Sequence, residues 1–75
     1  MSNVVVERGK SYGDPAVNLG RIAGMWSAYL GVEVSAHDVA WMMTLLKASR
    51  SKSDPQNGDN YLDAHGYVEI AERLK

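Results

Sequence analysis

A small all-α domain built from three main helices is the fold class this sequence predicts. Three observations predict it. Apolar residues recur at three- and four-residue intervals over three separate stretches. Each stretch begins at or beside a residue suited to capping a helix N-terminus. Segments rich in Gly, Pro, Ser and Asn separate the stretches. With 75 residues, the chain reads as a single helical domain over 1–75, near the lower size at which one core sustains a fold.

The elements follow in order. In residues 1–12, Val4, Val5 and Val6 favour extended backbone, while Gly9 is equally compatible with the end of a short leading helix. Tyr12-Gly13-Asp14-Pro15 is a turn that starts the first main helix, about 15–30, with Asp14 as N-cap and Pro15 at the first helical position. Leu19, Ile22, Ala23, Trp26, Tyr29 and Leu30 repeat along it at helical spacing, and Gly31 ends it. Ser35 is the next N-cap, with Asp38 as a capping-box partner weaker than Glu or Gln. The second helix, about 36–50, has Val39, Met42, Met43 and Leu46 as its main stripe, widened by Trp41 and Leu45. Residues 51–58 form a polar loop. The third helix, about 59–74, carries Tyr61, Leu62, Ala64, His65, Tyr67, Val68, Ile70, Ala71 and Leu74.

Composition excludes several classes of function. There is no cysteine, hence no disulfide framework or thiolate metal site. A net charge of -1 gives no global attraction to nucleic acid or an anionic membrane, so neither is expected as a partner. No apolar run approaches the roughly 20 residues that span a bilayer, and the N-terminus lacks a secretory pattern. A cytoplasmic protein is the expectation. Three short helices also carry more apolar surface than one small bundle hides. Trp41, Leu45, Tyr67 and Leu74 are the expected intersubunit face of a homo-oligomer, since burying each large side chain is worth roughly 1.5–3 kcal/mol.

The polar residues form three groups. Asp59 and Asp63 lie four apart at the start of the third helix, one turn apart on one face. They suit the positive end of the helix dipole as capping residues. Alternatively, with Asp38 as a third acid, they would supply oxygens to magnesium, although the first helix adds no carboxylate. Lys47 and Arg50 close the second helix and Lys52 follows. Cations there complement the dipole, or form a structural network such as Asp63 with Arg50, or clamp a phosphate with Arg50 bidentate and Lys47 as a point charge. Asn18 and Arg21, three apart on the first helix, are either solvated or placed to read a nucleobase or phosphate. His37 and His65 lack metal-ligand spacing, and His65 is expected in the core or at its rim. No nucleophilic triad, phosphate-cradling glycine loop or zinc motif is present.

Three segments together resemble a small domain of phage and prophage proteins. They are Arg8-Gly9-Lys10-Ser11-Tyr12-Gly13-Asp14-Pro15, Asp38-Val39-Ala40 with Met43-Thr44-Leu45-Leu46-Lys47-Ala48-Ser49-Arg50, and Asp59-Asn60-Tyr61-Leu62-Asp63-Ala64-His65-Gly66-Tyr67. In layout that domain is similar to the MazG-like, all-α nucleoside triphosphate pyrophosphohydrolases. In those enzymes a Glu-x-x-Glu pair on one helix and a Glu-x-x-Asp pair on the next hold magnesium on the triphosphate. Here Asp63 matches the last acid, Asn60 stands three before it with Asp59 one step earlier, and Asp38 represents the first pair. The resemblance thus implies a phage-type protein in the host cytoplasm that binds a nucleotide or nucleotide-derived signal through Lys47, Arg50 and Tyr12 at an intersubunit pocket, without hydrolysis. The alternatives are a magnesium-dependent pyrophosphohydrolase using Asp38, Asp59 and Asp63, and a helical module that binds a host or phage protein through its Trp/Met surface.

Overall fold

The computed structural model describes residues 14–75; the expectations for residues 1–12, Tyr12 among them, lie outside the described residues. Three helices form, α1 over Pro15–Leu30, α2 over Ala36–Ser53 and α3 over Gly58–Leu74. Local chemistry sets their ends. The Asp14 carboxylate accepts the Ala16 N–H at 2.8 Å, with Pro15 in the first turn where its missing N–H costs nothing. Gly31 closes α1 at φ 74°, a left-handed conformation that glycine adopts without strain, and its N–H donates to the Ser27 carbonyl. At the start of α2 the capping box is complete. The Asp38 N–H donates to Ser35 Oγ at 3.0 Å, and the Ser35 N–H donates to Asp38 Oδ2 at 3.0 Å.

Two boundaries differ from the sequence expectation. α2 continues past Arg50 to Ser53, because the first true breaker is Pro55, which disfavours helical backbone at the residue before it, Asp54. α3 begins one residue early, with Asn57 rather than Asp59 as N-cap; the Asn57 side chain accepts the Asp59 N–H at 3.0 Å. The connecting loop therefore shrinks to 54–57. The Tyr61 hydroxyl pins it by donating to the Pro55 carbonyl at 2.8 Å.

α2 and α3 form the most extensive helix pair; α1 packs mainly on α2 and only lightly on α3. Two contacts fix the pair as antiparallel, since His37 meets Ala71 near one end and Lys47 meets Asp63 near the other. The core consists of Leu19, Ala23, Val39, Ala40 and Ala71, with Ile22, Trp26, Met43, Ile70 and Leu74 packed around it. Three of these five buried side chains are alanines, which let the helices approach closely but bury little area. Burial of Leu19 and Val39 contributes roughly 1.5–3 kcal/mol each. The α1–α2 turn is held by Ser27, whose Oγ accepts the Val34 N–H at 2.8 Å and lies 2.6 Å from the Ala23 carbonyl to which it donates. No described helix is long and apolar enough to cross a membrane.

Candidate functional site

The inward stripe of α2 is Ala36, Ala40, Met43 and Lys47, at intervals of four, three and four residues. The matching stripe of α3 is Asn60, Ala64, Tyr67 and Ala71. Each therefore starts or ends in a polar side chain at the same end of the helix pair. There Lys47 Nζ lies 3.1 Å from Asp63 Oδ2, with side chains only 14% and 18% exposed. Asn60 is 6% exposed and is the buried polar side chain of the described core. A half-sequestered ion pair beside a buried amide is the most polar interior feature of the described residues.

The expected site residues fall into two sets. Lys47 and Asp63 come together, so Asp63 is paired with Lys47 rather than with Arg50. Lys47 sits half-buried on the inward stripe beside Asp63, whereas Arg50, nearly one turn further along α2, is exposed. Asn18 is half-buried and Arg21 exposed on α1. The three acids expected as a magnesium site do not assemble. Asp38 is engaged in its capping box, Asp59 is exposed in the first turn of α3, and Asp63 faces Lys47. Among the described residues no three His, Asp or Glu side chains form a group that could hold a metal ion. Hydrogen bonding from the Ser35 backbone N–H and side chain holds the Asp38 carboxyl below its ordinary range, against the opposing effect of desolvation.

His37 has a structural role that its isolation in the sequence did not suggest. The Trp41 indole N–H can only donate, and it donates to His37 Nε2 at 3.2 Å. Nε2 is therefore unprotonated, and Nδ1 carries the hydrogen it donates to the Ala71 carbonyl at 2.8 Å. This neutral tautomer ties α2 to the last turns of α3. The two rings meet edge to face at 6.4 Å. Beside them opens a shallow cleft of about 440 Å³, walled by Trp41, His65, Val68 and Glu72. His65 sits exposed on its rim rather than in the core.

The expected interface residues also divide. Trp41 and Leu45 are exposed, at 45% and 66%. Leu74 instead packs against the core and Tyr67 is half-buried on the inward stripe, so the four do not form one outer face. Val68 takes the exposed place beside Trp41. Sequence reasoning also missed Asn60 as an interior residue. The signal was present in its position four before Ala64, seven before Tyr67 and eleven before Ala71.

Residues 1–75 match, end to end, the family described as Domain of unknown function (DUF6378). The chain belongs to that family. Its relatives are phage proteins. It is 41% identical over 68 residues to the Gene 55 protein of Mycobacterium phage D29, covering 91% of this chain and 45% of that protein. It is 40% identical over 70 residues to the Gene 55 protein of Mycobacterium phage L5, covering 92% of this chain and again 45% of the relative. The chain thus spans somewhat under half the length of the curated relatives it matches. No solved structure matches it.

Proposed function

We propose that this phage domain binds a nucleotide by its phosphates, without hydrolysing it, at the C-terminal end of α2. One observation carries the reading. Lys47 is paired with Asp63, whereas Arg50, in the last turn of α2, is exposed and forms no ion pair among the described residues. A guanidinium on a rigid helix turn is suited to bidentate contact with a phosphate. Hydrolysis would need several carboxylate oxygens converging on magnesium, and the described acids are dispersed. Magnesium enters, on this reading, with the phosphates and keeps most of its own waters.

Thermal melting of the 75-residue chain with nucleoside triphosphates and cyclic dinucleotides, with and without magnesium, tests the proposal. A ligand at 100 times its Kd stabilises by about 2.7 kcal/mol, a rise on the order of 10 °C for a domain this small. The expected result is such a rise that Arg50→Ala abolishes while leaving the unliganded Tm unchanged, with the nucleotide recovered intact. No shift with any nucleotide at millimolar concentration would sink the reading, and turnover to monophosphate and pyrophosphate would replace it with catalysis.

A further inference from the structure

A second pair of stripes runs along the opposite side of the α2–α3 pair. On α2 it is Trp41, Leu45, Ala48 and Lys52; on α3 it is Tyr61, His65, Val68 and Glu72, both at intervals of four, three and four. All eight residues are exposed. Spacing of this kind keeps a seam of side chains facing a partner helix along its whole length. The apolar members are large, with Trp41, Leu45, Tyr61 and Val68 exposed by 40% or more, and α1 covers only the other side of the pair.

We propose that this face is covered by a second copy of the chain, two α2–α3 pairs stacking into an antiparallel four-helix core with the α1 helices outside. Charge selects the occupant and its orientation. Lys52 ends the α2 stripe, and Glu72 lies near the other end of the pair, on the α3 stripe. Glu69 beside it is already taken by Arg73 at 2.7 Å, and Lys75 lies one step beyond at the end of the cleft. A two-fold axis lying in the face, at right angles to the helices, sets the Lys52 end of each copy against the Glu72 end of the other. The alternative axis, along the helices, would leave Lys52 against the partner's Tyr61 end and match no charges. Size agrees with charge. The crosswise axis stacks α2 on its counterpart so that bulky Trp41 meets small Ala48, with the open cleft beside Trp41 available to a side chain of the second copy. Such an interface is isologous and closes at two copies.

Sedimentation equilibrium or light scattering on the 75-residue chain, with helix content followed by circular dichroism, tests this. The expected species has twice the monomer mass of 8.2 kDa. Leu45→Glu, at an exposed position, is expected to give a folded monomer, with association weakened at least about a hundredfold because the change counts twice per dimer. Lys52→Glu alone is expected to weaken association by about fivefold, as rim charge pairs do, and the exchange Lys52→Glu with Glu72→Lys to restore it. A chain that stays monomeric at millimolar concentration overturns the proposal. So does a dimer indifferent to Leu45→Glu, or one in which the charge exchange fails to restore what Lys52→Glu removed.

Discussion

The inner and outer faces of the α2–α3 pair share their heptad-like spacing but differ in fate. The inner stripes hold Ala36, Ala40, Met43 and Lys47 against Asn60, Ala64, Tyr67 and Ala71, and they are buried or half-buried. The outer stripes hold Trp41, Leu45, Ala48 and Lys52 beside Tyr61, His65, Val68 and Glu72, and they are exposed. By side-chain size the outer face is at least as good a core as the inner one. What separates them is that α2 and α3 pack on each other along the alanine-lined stripes, with α1 adding cover mainly on α2, while no described helix covers the outer stripes. A face is therefore interior because something covers it, and hydrophobicity alone does not choose between two qualified faces.

The largest test of this contrast is a pair of leucine truncations. Leu19→Ala, from the core, is expected to cost about 3 kcal/mol through lost burial and the cavity it leaves. Leu45→Ala is expected to stay within about 0.5 kcal/mol of wild type at protein dilute enough to be monomeric. Urea unfolding followed by tryptophan fluorescence reads both. Equal losses at that dilution would erase the distinction between the faces.

A smaller effect compares the two lysines that end the α2 stripes. Lys47→Met removes the ammonium facing Asp63 in a largely enclosed setting and is expected to cost about 2 kcal/mol, reduced from the ~3–5 kcal/mol typical of a fully buried pair by the remaining solvent contact. Replacing both partners, Lys47→Met with Asp63→Leu, is expected to recover most of that loss. Lys52→Met, its outer counterpart, should change the stability of the monomer by less than about 0.5 kcal/mol. A double variant no better than Lys47→Met would show that Asp63 matters for something other than its pairing.

The smallest effect lies at the start of α2, outside both stripes. Ser35→Ala removes the cap hydroxyl and is expected to cost about 1 kcal/mol. Because the folded state holds the Asp38 carboxyl below its ordinary range, its contribution is present above the unfolded value of about 3.9 and is lost as pH falls through the lower folded value. Asp38→Asn is therefore expected to flatten the acid limb of stability below about pH 4, measured by melting at a series of falling pH values. An unchanged acid limb would assign that dependence to other carboxylates.

Much of the fold was legible because it depends on local chemistry. Asp14 with Pro15, Gly31, and Ser35 with Asp38 each announce a helix end by interactions within a few residues, and all three form as read. The boundaries that shifted did so for equally local reasons, Pro55 setting the end of α2 and Asn57 outbidding Asp59 as a cap. The candidate site was less legible. Both Lys47 and Asp63 stood out by type, but their pairing, and the exclusion of Arg50 from it, depend on how α2 is rotated against α3. Asn60 stood out by no chemistry of its own, and only its spacing from Ala64, Tyr67 and Ala71 marked it as interior.

Three helices, their caps and a surplus of apolar stripe are written locally in the chain, because propensity, capping and periodicity act over a few residues. Which stripe became core was settled by the packing of helix on helix. It also decided that Lys47 rather than Arg50 meets Asp63, and that Asp38, Asp59 and Asp63 stay apart. These outcomes depend on the relative rotation and coverage of whole helices, which is fixed by the sum of many weak packing contacts that no single segment encodes.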